Sequence, residues 1–174
     1  MIRDAVETGI YVGIHFVVLG LIAWATARPF LFPSLGPSAY LLAVGDGGAE
    51  SDPRQVIGGH LIAVVCGLIG FYLFAPGLNS LELLGATSSP FASDLLRLTA
   101  SSVVAMVLTT IVMVVTEMGH PAACATTLIA SLGLISTPIG GLFIVLAVVA
   151  LVGIHYLLIR PLVAETEFEP EDPR

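Results

Sequence analysis

Two stretches of the sequence combine a proline, a glycine and polar side chains within otherwise apolar surroundings. Proline is favoured in the first turn of a helix, where its missing N–H has no intrahelical partner to lose. Each stretch therefore predicts a short helix that begins at its proline, and the polar residues would gather at the N-terminal end. The residues that could bind a small ligand there are Ser34, Gly36, Pro37 and Ser38 in the first stretch and Gly119, His120, Pro121, Thr126 and Thr127 in the second.

The N terminus of a helix attracts anions, because it carries about half a positive charge and several N–H groups that bond nothing within the helix. If the two short helices converge, their N–H groups could replace the water around a small anion. The serine and threonine hydroxyls would add donors, and Gly36 and Gly119 would let the backbone approach closely. The alternative is that these hydroxyls only cap helices and bond between them.

Four charged or titratable side chains lie in or just before the second stretch, or around the start of the apolar segment 56–75. His120 could carry a proton alongside an anion near neutral pH, or could simply cap the chain break as a neutral residue. His60 lies just inside an apolar segment, and Arg54, six residues earlier, could attract anions or only anchor the chain. Glu117 and His120 could bracket a cation, although a single Glu-x-x-His is weak compared with paired motifs. The remaining histidines, expected to pack or to bond between helices, are His15 and His155.

The composition indicates an integral membrane protein. Of the 174 residues, 56% are apolar and 11% are charged, whereas soluble domains carry about 25% charge. A soluble enzyme of this size could not bury so much apolar surface. Six basic residues against thirteen acidic ones exclude a nucleic-acid partner. No metal motif and no cofactor motif is present, and Cys66 and Cys124 are expected to be small buried residues.

Four apolar stretches are long enough to cross a membrane, namely 8–27, 56–75, 95–116 and 138–159. A hydrocarbon core of ~30 Å needs about 20 residues at 1.5 Å per residue. Helix is the state expected, because backbone polar groups in lipid must bond within the segment. The first stretch resembles a secretory signal in outline but is too long for one, so we expect it to stay in the mature fold.

The order of a span, a short helix and a span opening with Ile-Gly-Gly occurs twice, which predicts two repeats of about 8–75 and 95–160 within one domain, 1–163. A break at corresponding places in both halves is typical of transporters. If the short segments are re-entrant, each half has two spans and the halves are parallel. If they cross, each half has three and the repeat is inverted. The glycine pairs that open the spans, expected to permit close packing, are Gly58, Gly59, Gly140 and Gly141.

Charge placement suggests an orientation and a habitat. Either topology puts four arginines on the N-terminal side and two on the other, so we expect a cytoplasmic N terminus in the cell membrane. Residues 164–174 predict an acidic, disordered tail, and the acidic excess suggests a salt-rich habitat. The connector 76–94 is expected to lie along the membrane interface.

The runs at 32–39 (FPSLGPSA), 53–60 (PRQVIGGH) and 119–123 (GHPAA) resemble the HPP family of integral membrane proteins. The family is named for His-Pro-Pro, and here Ala122 replaces the second proline, which should leave helix initiation intact. The resemblance implies a fold with four full spans. It also implies a transporter-like role, because some members are implicated in nitrite transport.

The leading hypothesis is an all-α membrane protein, with four full spans and two short helices begun by proline, that transports or conducts a small anion. Nitrite is the candidate substrate, and the lipid bilayer is the other partner. The alternative is a scaffold or sensor subunit that transports nothing. An intramembrane enzyme is disfavoured, because the sequence has neither a nucleophile elbow nor a histidine-rich metal motif. Because so few helices enclose little space, we expect a homo-oligomer, either a dimer or a trimer.

Overall fold

The computed structural model describes residues 2–44, 51–85 and 91–161, so the predicted acidic tail lies outside the described residues. The described residues form seven α-helices and no strands. Four of the helices are long and apolar enough to cross a membrane, which confirms the predicted spans. The helices are α1 (Ile2–Thr26), α2 (Leu35–Val44), α3 (Pro53–Phe74), α4 (Ser80–Gly85), α5 (Ser93–Thr116), α6 (Ala123–Ser131) and α7 (Pro138–Ile154), which continues as a π-helical turn, His155–Ile159.

Two of the long helices begin at a proline that follows a capping side chain. The Asp52 carboxylate accepts a hydrogen bond from the N–H of Arg54 at 2.9 Å, directly before α3. The Thr137 hydroxyl accepts one from the N–H of Gly140 at 3.1 Å, directly before α7. Such caps satisfy N–H groups that the first helical turn leaves without partners. The local sequence therefore fixes where these spans start.

The sequence predicted that the two short helices begin at their prolines, but both begin two residues away from them. Helix α2 begins two residues before Pro37, which is tolerated because the first four N–H groups of a helix have no intrahelical partner. Helix α6 begins two residues after Pro121, because the chain first forms a turn in which the N–H of Ala123 donates to the carbonyl of His120 at 2.9 Å. Non-helical residues, 27–34 and 117–122, precede the two helices.

The segment that contains α2 runs along α7. The Arg28 guanidinium lies 5.5 Å from the centre of the Phe143 ring, and Phe30 packs edge-on against the same ring. Further along the chain, the Tyr156 hydroxyl donates to the carbonyl of Ser51 at 3.0 Å. Phe143 and Tyr156 are thirteen residues apart in α7 and its continuation, a distance of about 20 Å. Arg28 and Ser51 therefore lie near opposite ends of α7 and its continuation.

The segment that contains α6 runs along α3 in the same way. The Met118 side chain lies against Gly58 near the start of α3, and a Cβ added at Gly133 would lie 2.9 Å from the Phe71 ring near its end. Gly58 and Phe71 are also thirteen residues apart, or about 20 Å. This part of the chain therefore passes from one end of α3 to the other.

Helices α3 and α7 lie at the centre of the fold. Helix α3 packs against α5, α6 and α7, and α7 packs against α1, α2 and α3. The two helices are antiparallel: Ser51 next to the start of α3 bonds Tyr156 at the end of α7, and the Tyr72 hydroxyl donates to the carbonyl of Ser136, just before α7, at 2.8 Å. Two antiparallel central helices thus carry the short helices on their flanks.

The glycine pairs permit close packing at three of their four positions. Gly58 and Gly59 face the chain at Met118, and a Cβ added at Gly141 would lie 2.6 Å from the Val64 side chain of α3. The nearest atoms to a Cβ at Gly140 belong to Ile135, in the turn that leads into α7. Close packing against another part of the chain therefore explains Gly58, Gly59 and Gly141, whereas the turn before α7 explains Gly140.

Two of the histidines pack between helices, and of the two cysteines only Cys66 is buried as the sequence predicted. Cys66 is buried, Cys124 is half-buried, and both thiols are free. The rings of His15 and His155 stack with centroids 5.6 Å apart and planes inclined by 13°. The Nδ1–H of His15 donates to the carbonyl of Tyr11 at 2.7 Å. The expected packing role of these two histidines therefore takes the form of a stack between α1 and the end of α7.

Candidate functional site

Four hydrogen-bonded side chains form a polar cluster in the interior, and each has no exposed surface: Ser38, His60, His120 and Thr126. The Ser38 hydroxyl lies 2.9 Å from His60 Nε2 and 3.0 Å from His120 Nε2. His60 Nδ1 lies 2.7 Å from the Thr126 hydroxyl. The cluster joins α2, α3, α6 and the chain that leads into α6, and the sequence had proposed all four residues as ligands.

Gly59 allows the two imidazoles of the cluster to meet. A Cβ at this position would lie 2.8 Å from the Cβ of His120 and 3.2 Å from the carbonyl oxygen of Met118, which is closer than side chains normally approach. Because glycine has no Cβ, the chain that carries His120 can rest against α3 beside His60. The centroids of the two rings are 5.4 Å apart as a result. The Gly-Gly-His run of the sequence is thus explained by this contact.

Ser38 connects the N-terminal ends of the two short helices. It lies in the first turn of α2, and its hydroxyl also lies 3.3 Å from the carbonyl of Ser34. His120 precedes α6 by three residues. The hydrogen bond between Ser38 and His120 therefore brings the starts of α2 and α6 to one place inside the protein.

A further hydroxyl at the start of α2 is buried without a hydrogen-bond partner among the described residues. Ser34 immediately precedes α2 and is fully buried, and its Oγ bonds no atom of the described chain. A buried hydroxyl without a partner costs about 1–3 kcal/mol. The described residues therefore leave the Ser34 hydroxyl, at the N-terminal end of α2, without a hydrogen bond.

Space remains beside both prolines. A Cβ added at Gly36 or at Gly119 would meet no heavy atom of the described residues within 4 Å, apart from the chain neighbours of each glycine. Gly119, Pro37 and Pro121 are exposed, and Gly36 is half-buried. Packing within the chain therefore does not require glycine at either position. The cluster is buried, whereas the chain beside both prolines is open at these positions.

Three of the predicted site residues lie apart from the cluster. The Thr127 hydroxyl bonds the Thr109 hydroxyl of α5 at 2.9 Å, so it faces a different helix from Thr126. Arg54 is exposed in the first turn of α3. Glu117 is exposed and ends α5 with a left-handed backbone, at φ 55°. Within the described ranges, no three His, Cys, Asp or Glu side chains gather where they could hold a metal ion.

The sequence reasoning missed the polar residues of α5. Thr109 bonds Thr127, and the Ser101 hydroxyl donates to the carbonyl of Ser131 at 2.8 Å. Both bonds fasten α6 to α5. Ser101 and Thr109 are eight residues apart in α5, with buried Ala105 between them, so a search for polar residues at helical spacing within this span would have found them.

These features define a multi-pass helical membrane protein with a buried cluster of hydroxyl and imidazole groups at the ends of two short helices. A model of the HPP transmembrane region matches residues 1–167 of the 174. The chain therefore belongs to the HPP family, as the three runs of sequence had indicated. No curated protein and no solved structure matches the chain.

Proposed function

We propose that the protein transports a small anion across the membrane, and that the anion binds where the N-terminal ends of α2 and α6 meet. The observation that carries this proposal is the 3.0 Å hydrogen bond between Ser38 and His120, which joins the starts of the two helices. Each helix end contributes about half a positive charge, so the two together match one monovalent anion. The low dielectric of the interior strengthens this attraction.

The donors around this point suit an anion that loses its water on binding. The Ser34 hydroxyl lacks a partner among the described residues, and the Ser38 hydroxyl can rotate between its neighbours. The imidazoles of His60 and His120 hold the Ser38 hydroxyl between their Nε2 atoms. The open space beside Gly36 and Gly119 gives an anion access to the N–H groups of the two helix ends. Fixed dipoles and hydrogen bonds therefore replace the hydration shell.

The packing of the helices supports an inverted repeat, a feature typical of transporters. If α1, α2 and α3 are exchanged with α5, α6 and α7, the main contacts between these helices have counterparts: α2 packs on α7 as α6 packs on α3, and α1 packs on α2 and α7 as α5 packs on α6 and α3. The α2 segment runs in the direction of α7, and the α6 segment runs in the direction of α3. Because α3 and α7 are antiparallel, α2 and α6 point in opposite directions away from the cluster. We infer that both broken segments cross the membrane, which gives three crossings in each half.

Nitrite is our candidate substrate, because members of the HPP family are implicated in nitrite transport. A pair of half-charged helix ends does not by itself distinguish nitrite from other small monovalent anions. Formate has a similar size and the same charge, whereas nitrate and chloride differ in shape. A comparison of these four anions therefore tests both the class of substrate and the choice of nitrite.

Flux into proteoliposomes tests the proposal, with Ser38→Ala as the site variant. We expect the wild type to carry nitrite. Ser38→Ala should reduce the flux by about tenfold, since losing one hydrogen bond of ~1.4 kcal/mol has that effect. Ser101→Ala is the matched control, because Ser101 is also fully buried and hydrogen-bonded but lies on α5. Absence of flux for all four anions in the wild type, or equal loss in both variants, would overturn the proposal.

A further inference from the structure

We propose that the anion crosses together with one proton, which is held by the His60–His120 pair and passed between the two imidazoles through the Ser38 hydroxyl. This inference rests on the proposed function and adds the coupling ion to it. The supporting geometry is a continuous chain of hydrogen bonds from His120 through Ser38 and His60 to Thr126. All four side chains are fully buried.

The hydrogen bonds of the pair can accept an extra proton without breaking. The Ser38 hydroxyl has one hydrogen and two lone pairs. When the hydroxyl donates to one Nε2, the other imidazole donates its Nε2–H to the serine oxygen. When His60 is protonated, its two N–H groups donate to Ser38 and Thr126, and the Ser38 hydrogen turns to the carbonyl of Ser34 at 3.3 Å. When the Ser38 hydroxyl instead donates to His120 Nε2, the His60 Nε2 proton can pass to the Ser38 oxygen while the Ser38 proton passes to His120 Nε2, which leaves His60 neutral and His120 protonated.

Proton binding and anion binding favour each other at this place. A proton on either ring puts a positive charge beside two positive helix ends and away from water, which is unfavourable while the site holds no anion. An anion against the same helix ends offsets that charge. Each ligand must then raise the affinity for the other by the same factor. Since the ring centroids are 5.4 Å apart, repulsion limits the pair to one added proton.

Few other titratable groups lie on the surrounding elements. His60 and His120 face each other, and the thiols of Cys66 and Cys124 lie on α3 and α6. The phenol of Tyr40 on α2 is exposed, and the His15–His155 stack lies between α1 and the end of α7. The described carboxylates nearest in sequence to the two rings are exposed at helix ends: Asp52 and Glu117.

Transport of one anion with one proton moves no net charge. A membrane potential acts on a transport step only through the net charge that the step moves. We therefore expect nitrite flux to follow a pH gradient and to be insensitive to an imposed potential. A carrier that moved the anion alone would respond strongly to that potential.

Proton uptake on anion binding tests the inference directly. Nitrite is added to the purified protein in a weakly buffered solution at neutral pH, and the pH change and the bound anion are both measured. We expect about one proton to be taken up per anion bound, because the two ligands are thermodynamically linked. The variant with both His60→Gln and His120→Gln keeps side chains that can hydrogen-bond but cannot titrate. It should bind nitrite without taking up a proton, and with an affinity that no longer depends on pH.

His155→Gln is the matched control, because it removes a histidine from a span outside the cluster, and it should behave as the wild type does. Nitrite binding to the wild type without proton uptake would overturn the inference and leave the proposed function standing. Undiminished proton uptake in the double variant, or loss of uptake in His155→Gln alone, would also overturn it. Absence of nitrite binding to the wild type would overturn both proposals.

Discussion

Two glycines near the cluster differ in what surrounds them, and this difference separates folding from binding at the scale of single residues. Gly59 is required by packing, because a Cβ there would collide with His120 and with the carbonyl of Met118. A Cβ at Gly36, in the first turn of α2, would point into open space. Under the proposed function, the space at Gly36 is kept for the anion.

Substitution of these glycines by alanine should therefore have opposite effects on stability. Gly36→Ala should keep or raise the unfolding temperature, since alanine favours helix by about 0.5–1 kcal/mol, and should weaken nitrite binding by about threefold or more through the added methyl group. Gly59→Ala should lower stability by about 1–3 kcal/mol through overpacking. Thermal unfolding in detergent and calorimetric titration with nitrite measure both quantities. Unchanged nitrite affinity in Gly36→Ala would count against a binding role for this space.

The sequence named the four residues of the cluster among its candidate ligands but could not choose between adjacent threonines. Consecutive residues of a helix point about 100° apart, so Thr126 and Thr127 must face different neighbours. Which one faces His60 depends on how α6 is rotated between α3 and α5. That rotation is set by contacts such as the bond between the hydroxyls of Thr109 and Thr127, which lie 18 residues apart in the chain. Such distant contacts are not visible in local patterns.

At the scale of elements, the sequence located the spans well and the starts of the short helices less well. The span predicted at 138–159 has the same bounds as the apolar helical stretch observed, because Pro138 and the cap at Thr137 mark its start. The expectation that each short helix begins at its proline missed the observed starts of α2 and α6 by two residues. Proline is tolerated at several positions around a helix start, so the rule locates the turn but not the first helical residue.

Close packing of α3 against α6 should depend on Gly67. A Cβ there would lie 2.6 Å from the Cβ of Ala130 and 2.9 Å from the carbonyl of Thr127. Gly67→Ala should therefore destabilise the protein by about 1–3 kcal/mol. Gly13→Ala, in α1, is the control: a Cβ there would meet no atom of the described chain within 4 Å, so stability should be kept or slightly raised. Unfolding midpoints in detergent compare the two variants, and equal midpoints would contradict the packing seen between α3 and α6.

At the scale of the whole molecule, the arginine count could not decide whether the broken segments cross. Both topologies place four arginines on the N-terminal side, so the charge rule gives the same orientation for either. The contacts at both ends of α3 and α7 distinguish the alternatives, because they relate residues that are far apart in the sequence. They favour the crossing arrangement. A cytoplasmic N terminus and a homo-oligomer both stay predictions.

Single-cysteine labelling tests the topology. In a background with Cys66→Ala and Cys124→Ala, the crossing arrangement predicts that Arg54→Cys reacts from the side of the N terminus and Arg97→Cys from the opposite side. Both arginines are exposed in the structure. The re-entrant arrangement predicts the reverse for both. An impermeant maleimide applied to intact cells reads out the side of labelling.

Two further cysteine variants serve as controls for the labelling. Arg28→Cys should react opposite to the N terminus and Arg160→Cys on its side, whichever topology holds. Labelling of all four variants in intact cells also shows which side is cytoplasmic.

The most direct test of the central claim is diffraction from crystals grown with bromide, a small monovalent anion that anomalous scattering can locate. The account predicts a bromide peak between the N-terminal ends of α2 and α6, within about 3–4 Å of the hydroxyls of Ser34 or Ser38, since halide radii exceed that of oxygen. Replacement of bromide by nitrite should displace the peak. Crystals with well-ordered bromide elsewhere and none within reach of the Ser34 and Ser38 hydroxyls would contradict the account.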